Sequence, residues 1–354
     1  MNKNLFQKTL ARENDGRPPV WFMRQAGRYH SHYQNLKSQY SFVEICKKPE
    51  VACEAAMGPI EDFDFDAAIL FSDILFPLEA MGMGLSYDPA PTLSWHVRTP
   101  EDAQRLISGS GAAEQLQFQA EAIRLTRARL PQSKGLLGFV GGPSTLYCYA
   151  VEGSHKGQLD SALAGLADGR YDIFCDKLAD LLIENMCLQA QAGVDTVAVL
   201  DTCAGEFTPE QYRTHIVPVL NRVISGFVSR YPNVPVTYYS KNTDARYWAS
   251  LVELPISALG VDWHQDIVAV LSDWGDRWAI QGNIDPQWLF LETDELVHRL
   301  TEVFSRVKEL PASARRGWVC GLGHGILPGT PEQNVLAFLN TQRELFHDHR
   351  SEAA

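Results

Sequence analysis

The chain has 354 residues, of which 45% are hydrophobic, 21% charged and 10% aromatic, a composition suited to a globular fold with a large core. A formal net charge of -12 and a pI near 5.3 exclude a general nucleic-acid or anionic-membrane surface, though not a local basic pocket. Seven scattered cysteines, an odd number with no C-x-x-C spacing, read as reduced thiols of a cytoplasmic protein. The start, Met1 to Phe6, lacks the apolar run of a signal peptide, and no stretch reaches the roughly 20 apolar residues of a membrane helix. There is no low-complexity segment and no strong internal repeat.

Eight short apolar runs recur along the chain: Pro19–Met23, Ala67–Phe71, Leu136–Gly141, Thr196–Leu200, Val236–Tyr239, Ala258–Val261, Trp278–Gln281 and Gly317–Cys320. Each is apolar nearly throughout instead of alternating, which is the pattern of parallel strands buried on both faces. Helical segments separate them. Pro49–Met57 is one. Thr99-Pro100-Glu101-Asp102 has a cap followed by proline at the first helical position. Leu159–Ala192 reads as one long amphipathic helix ending at Gly193. Thr208-Pro209-Glu210 opens a helix running to about Arg230, and Asp294–Lys308 and a helix from Thr330-Pro331-Glu332 to about Phe346 complete the set. The tail from His347 to Ala354 is polar and is expected to fray.

Strands alternating with helices imply right-handed crossovers, and eight over this length predict an α/β fold, a closed (β/α)8 TIM barrel forming a single domain over residues 1–354. The long gaps after the second and third strands predict extra loops and helices over the mouth. A doubly wound sheet is the alternative, weakened by the lack of G-x-G-x-x-G after a strand.

In such a barrel the chemistry sits at the carboxyl ends of the strands. Those ends carry Arg24 and Arg28, then Ser72-Asp73, then Gly141-Gly142-Pro143-Ser144-Thr145 and Tyr149. Next come Asp201-Thr202, Ser240-Lys241, Asp262, Asn283 with Asp285, and Gly323-His324-Gly325. Two arginines beside a strand are suited to carboxylates, since a guanidinium donates two parallel hydrogen bonds to one. Asp73 stands in an apolar stretch, either as a functional group or as a hydrogen-bond acceptor on the barrel floor. The Thr145–Tyr149 segment is either an anion-binding helix N-terminus or a plainly capped helix. His324 between glycines suits a close backbone or ligand approach. His264 and the aromatic pairs Tyr238-Tyr239 and Tyr247-Trp248 read as structural, as do the cysteines.

These residues resemble the uroporphyrinogen decarboxylase family. The stretches that carry the resemblance are Met23-Arg24-Gln25-Ala26-Gly27-Arg28-Tyr29, the run Ala67 to Leu75 around Ser72-Asp73, and Gly142-Pro143 through Tyr149 to Glu152-Gly153. Gln281-Gly282-Asn283-Ile284-Asp285-Pro286 and Leu322-Gly323-His324-Gly325-Ile326 follow, all in family order. The resemblance implies a (β/α)8 barrel, a homodimer, and a cofactor-free, metal-free decarboxylase that removes CO2 from four acetate arms of uroporphyrinogen III, giving coproporphyrinogen III in haem biosynthesis. By motif match, Arg24 and Arg28 resemble the substrate-carboxylate arginines and Asp73 the central aspartate that accepts pyrrole N–H groups. Gln25, Tyr149, Thr202 and His324 match further substrate-contacting positions.

The chemistry is self-consistent. An electron pair left by departing CO2 needs a sink, and a pyrrole protonated on carbon supplies one without a cofactor. That route needs an anion beside the ring nitrogens, for which an ionised Asp73 serves. It also needs an acid, for which Arg24 is the best-placed cation despite a usual pKa of roughly 12 or above. Tyr149, His324 or a held water are rivals. Arg24, Arg28, His324 and Lys241 would hold the substrate's carboxylates. The chain departs from the family at His30-Ser31-His32-Tyr33-Gln34, where a further arginine is missing. It departs again at Tyr87 to Thr92, in place of a glycine-rich stretch, at Ser144 in place of tryptophan, at Ser154-His155-Lys156 and at Ser240-Lys241-Asn242. Two other readings remain. One is a zinc/thiol- or corrinoid-dependent methyltransferase, which would need Cys203, Cys320 and His324 to converge. The other is a non-catalytic tetrapyrrole-binding paralogue.

Overall fold

A computed structural model describes residues 3–87, 90–154 and 159–347. The expectations placed on Asp88, Pro89, His155, Lys156 and the tail beyond His347 fall outside the described residues. Seven of the eight apolar runs form parallel strands: β1 Ala67–Ile69, β4 Gly135–Gly141, β5 Thr196–Asp201, β6 Val236–Ser240, β7 Ala258–Gly260, β8 Ala279–Ile284 and β9 Trp318–Leu322. They pair in chain order from β1 through β4 to β9, and every residue in them is buried. Burial on both faces explains the unbroken apolar runs, each Val, Leu or Ile contributing about 1.5–3 kcal/mol by leaving water. Two further strands, β2 Leu85–Tyr87 and β3 Pro91–Leu93, form a separate antiparallel hairpin between β1 and β4.

The remaining run, Pro19–Met23, differs from its reading as a strand. Only Val20 forms a bridge, to Cys320 of β9. Pro18 and Pro19 have no N–H to give to a ladder, so the segment works mainly as an acceptor. Pro19 O takes the Cys320 N–H (2.9 Å) and Val20 O takes the Asp66 N–H (2.9 Å). The ring therefore closes between β9 and the residue just before β1. Asp66 reinforces the seam, its carboxylate accepting the Val20 N–H (2.8 Å) and a two-pronged pair from Arg17 (2.7 and 2.6 Å). A bidentate guanidinium pair at a buried seam fixes orientation as well as distance.

Helices pack outside the strands: α1 Ser31–Gln39, α2 Pro49–Phe63, α3 Gln117–Arg129, α4 Pro143–Glu152, α5 Arg170–Ala192, α6 Val217–Arg230, α7 Ile267–Trp274, α8 Thr293–Glu309 and α9 Glu332–Phe346. Thr99 caps its helix reciprocally with Asp102, and Thr208 does the same with Gln211. The expected Leu159–Ala192 helix is two, Asp160–Asp168 and α5, because Gly169 at φ 88 breaks the backbone where a side chain would be strained. No described helix is long and apolar enough to cross a membrane.

Candidate active site

Arg24 occupies a left-handed backbone position (φ 64) in the turn where the Gln25 N–H donates to Phe22 O (3.0 Å). Such a conformation is uncommon for a side-chain-bearing residue, so the surroundings set it. Its stem lies against Gly325, where a Cβ would come within 2.6 Å of Arg24 Cδ. Glycine is thus required in the Gly323-His324-Gly325 turn for the arginine to pass. Arg24 and Arg28 are both exposed. Neighbouring arginines are already paired, Arg17 with Asp66 and Arg129 with Glu54 and Glu61, whereas Arg24 and Arg28 enter no such ion pair among the described residues.

Asp73 follows β1 and accepts the Leu75 N–H on Oδ1 at 2.8 Å. Burial pushes its pKa above the usual carboxylate range, while the Leu75 N–H, the Arg24 charge and the Tyr87 hydroxyl oppose that rise. The expected ionised state therefore relies on donors and cations working against the low-dielectric surroundings. Tyr149, in α4, feels both charges. Burial and Asp73 push its phenol far above the usual range and Arg24 acts the other way. A phenol held so firmly protonated is a hydrogen-bond donor first. Arg24, Asp73 and Tyr149 thus lie within electrostatic reach of one another, although they come from three separate strand ends. Arg28 acts on Tyr33, whose ring packs on Phe71 at 5.4 Å, two residues before Asp73.

The arc continues through the last strands. The His324 ring meets the Trp263 ring edge-on at 6.0 Å, and Lys241 Nζ lies 5.7 Å from the centre of that indole. Tyr239 donates its hydroxyl to Gly323 O at 2.9 Å and pins the glycine turn. Tyr238 and Tyr239 face opposite sides of β6, and both are buried in the core as expected.

Other strand-end residues are committed to the scaffold. Asp201, fully buried, accepts from Ser144 Oγ (2.5 Å), the Thr145 N–H (2.9 Å), Thr145 Oγ1 (2.7 Å) and Tyr238 (3.3 Å). The first turn of α4 therefore has an anion, and it is the chain's own carboxylate. Ser144, at a departure from the family pattern, is one of its donors. Thr202 comes next, half-buried, while the Cys203 N–H donates to Thr145 Oγ1 (3.0 Å). Asp262 accepts the Asn242 N–H and the His264 N–H (3.0 Å), which makes His264 structural as expected. Asn283 donates to Asp262 O and Gln265 O (2.7 and 2.8 Å), and Asp285 caps the turn that follows by accepting the Gln287 N–H (2.9 Å).

Gln25, matched to a substrate-contacting position, is fully buried, its oxygen accepting the Phe22 N–H (3.1 Å) and its nitrogen donating to Ala67 O (2.9 Å). Between a segment too short to be a strand and β1, this amide replaces missing ladder bonds. The departing stretch His30–Gln34 is also structural. It opens α1, with buried His30 bonded to Asp62 (2.8 Å), His32 stacked on it at 5.7 Å and Gln34 donating to Arg28 O. Among the described residues no three His, Cys, Asp or Glu side chains are placed to hold a metal. Cys320 lies beside Arg17 and Asp66 at the seam and Cys203 beside Cys148, and these two with His324 do not form such a group.

Residues 1–345 match the uroporphyrinogen decarboxylase family. The chain is 33% identical to a uroporphyrinogen decarboxylase of Chloroherpeton thalassium, across 97% of this chain and 98% of that one. It is 36% identical to a protein of the same name from Pelobacter propionicus, across 90% and 92%. Among solved structures, a methyltransferase from Methanosarcina mazei superposes with a TM-score of 0.78 over 98% of this chain and 100% of that one. At 18% identity this shows a common fold and no more.

Proposed function

The chain belongs to the uroporphyrinogen decarboxylase family and is a carboxy-lyase, and from that premise we propose how its own residues perform the reaction. Asp73 accepts the pyrrole N–H groups of uroporphyrinogen. Arg24 and Arg28, which enter no ion pair among the described residues, hold acetate and propionate carboxylates, aided by His324 and Thr202. The observation that supports this reading is that Asp73 and Tyr149 both feel the Arg24 charge, and Tyr149 that of Asp73, although the three are far apart in the chain.

A proton added to a pyrrole carbon makes the ring cationic. Loss of CO2 from the neighbouring acetate sends its electron pair into that ring and leaves an exocyclic methylene. Protonation of the methylene and return of the ring proton leave a methyl group, so each acetate exchanges CO2 for one proton. Asp73 stabilises the cationic ring by fixed charge, an effect worth roughly 10²–10³ in rate for a preorganised group of this kind. Burial alone pushes Asp73 toward its neutral form; the pyrrole N–H donors would add to Leu75 N–H and Arg24 and favour the anion as substrate binds. Arg24, exposed and beside Asp73, orients the reacting carboxylate and serves as the cation nearest the proton-delivery path. Tyr149 stays protonated and donates a hydrogen bond. The protein acts as a cytoplasmic homodimer.

The deciding experiment is anaerobic incubation with uroporphyrinogen III followed by chromatography. Coproporphyrinogen III is the expected product. Tight binding with unaltered substrate would make the chain a tetrapyrrole-binding paralogue instead.

A further inference from the structure

The site holds a donor that neither the motif pattern nor the arginine–aspartate pair requires. Tyr87 ends β2 of the hairpin that lies between β1 and β4 in the chain, and it opens the stretch where the chain departs from the family's glycine-rich pattern. Its ring packs against Phe42 (4.9 Å) and Phe76 (6.1 Å). Its hydroxyl oxygen is buried without a well-formed hydrogen bond among the described residues. A buried hydroxyl left without a partner is unfavourable, and a neighbouring acceptor that it can close on offsets that cost. The same Phe42 ring packs on Phe71 (6.1 Å), two residues before Asp73, and Asp73 is the carboxylate whose charge the Tyr87 hydroxyl feels.

We propose that Tyr87 is a positioning residue for Asp73, its hydroxyl closing on the carboxylate edge not used by the Leu75 N–H and leaving the remaining lone pairs aimed at the substrate. This rests on Asp73 being the central acid of the site. A carboxylate offers about four lone-pair directions. Leu75 occupies one at 2.8 Å. With a second donor on the other oxygen the carboxylate can no longer rotate, and its free edge is presented to incoming N–H groups. The hairpin supplies this donor from outside the barrel, so the geometry of Asp73 depends on an element that is not part of the ring. Other titratable groups near the pair are few. Cys46 is a buried thiol facing both, Glu79 is neutralised by Lys47 (2.7 Å), and Arg24 and Tyr149 complete the set.

The test is Tyr87→Phe, which keeps the ring packing and removes only the hydroxyl. Rates with uroporphyrinogen III across pH, alongside Asp73→Asn, are the measurement. The expected result is a loss of about tenfold in kcat, as for one hydrogen bond to a charged group, with KM unchanged. The acid limb of the pH profile moves to higher pH, because the carboxylate has lost a donor that favoured its charged form. In the Asp73→Asn background the same change causes no further loss, since the two act as a unit. A wild-type kcat and acid limb in Tyr87→Phe, or losses that simply multiply in the double variant, overturn the inference. If Asp73→Asn itself turns over normally, the role given to Asp73 fails first and takes this one with it.

Discussion

Two aspartates at strand ends, half-buried Asp73 after β1 and fully buried Asp201 ending β5, have opposite hydrogen-bond accounts. Asp201 is saturated, with two hydroxyls, a backbone N–H and Tyr238 filling its lone pairs. Asp73 has one short backbone bond, an arginine at electrostatic range and a tyrosine not yet in contact. Residue type and topological place are alike, so neither separates structure from chemistry. What separates them is satisfaction. A carboxylate whose lone pairs are all taken holds the fold together, whereas one kept short of donors in a dry pocket has capacity left for a ligand. Cations divide the same way, Arg17 being locked to Asp66 while Arg24 and Arg28 enter no ion pair among the described residues.

The comparison can be broken most directly at Asp73. Asp73→Asn is expected to cut kcat by roughly 10²–10³ while leaving the thermal midpoint unchanged or slightly raised, because asparagine can still accept the Leu75 N–H without a buried charge. Steady-state kinetics and a melting curve on the same preparation check both halves. Asp201→Asn should do the reverse. A buried network loses its anion, stability falls by about 3 kcal/mol, and whatever remains folded decarboxylates at nearly the wild-type rate; a large loss of kcat at full stability would erase the distinction.

Gln25→Ala sharpens the point for a residue the motif assigns to substrate. It leaves the Phe22 N–H and Ala67 O unpaired at the barrel seam, for about 2 kcal/mol in denaturant unfolding, with KM unaffected in the folded fraction. Arg28→Ala should raise KM roughly tenfold, as for one lost charge-assisted contact, with little change in kcat, and the effect should shrink as salt rises.

The smallest effect is on the pH dependence of stability. Burial raises the folded-state pKa of both Asp73 and Asp201 above the ordinary carboxylate value. Between those two values the folded protein binds more protons than the unfolded chain, so these groups favour folding at lower pH and lose that contribution as pH rises through the raised value. Melting curves from neutral pH down into that window should show a modest gain, and the Asp73→Asn variant should lack its share.

Much of the fold was legible because it rests on composition of short runs. β4 to β9 and β1 coincide with the apolar segments, since strands buried on both faces leave no polar alternation to confuse the pattern. The first run misled. Its apolar character was real, but Pro18 and Pro19 removed the donors a strand needs, and Gln25 was required to bridge the gap. The long Leu159–Ala192 reading failed at Gly169, where backbone conformation overruled amphipathic periodicity. At the site, Arg24, Arg28, Asp73, Tyr149 and His324 were legible from motifs and strand ends. Tyr87 was not, because it lies on a hairpin outside the ring and comes into range of the Asp73 charge only in the folded chain.

By itself the sequence determined the kind of molecule: the alternation of apolar runs and capped helices dictates a barrel, and the motif residues at the strand ends dictate which face carries chemistry. Tertiary structure decided which polar residues are available. Availability is set by how many partners the folded chain brings to each lone pair and each N–H, a count that depends on segments distant in sequence. Four donors converge on Asp201 from α4 and β6, and one firm donor reaches Asp73.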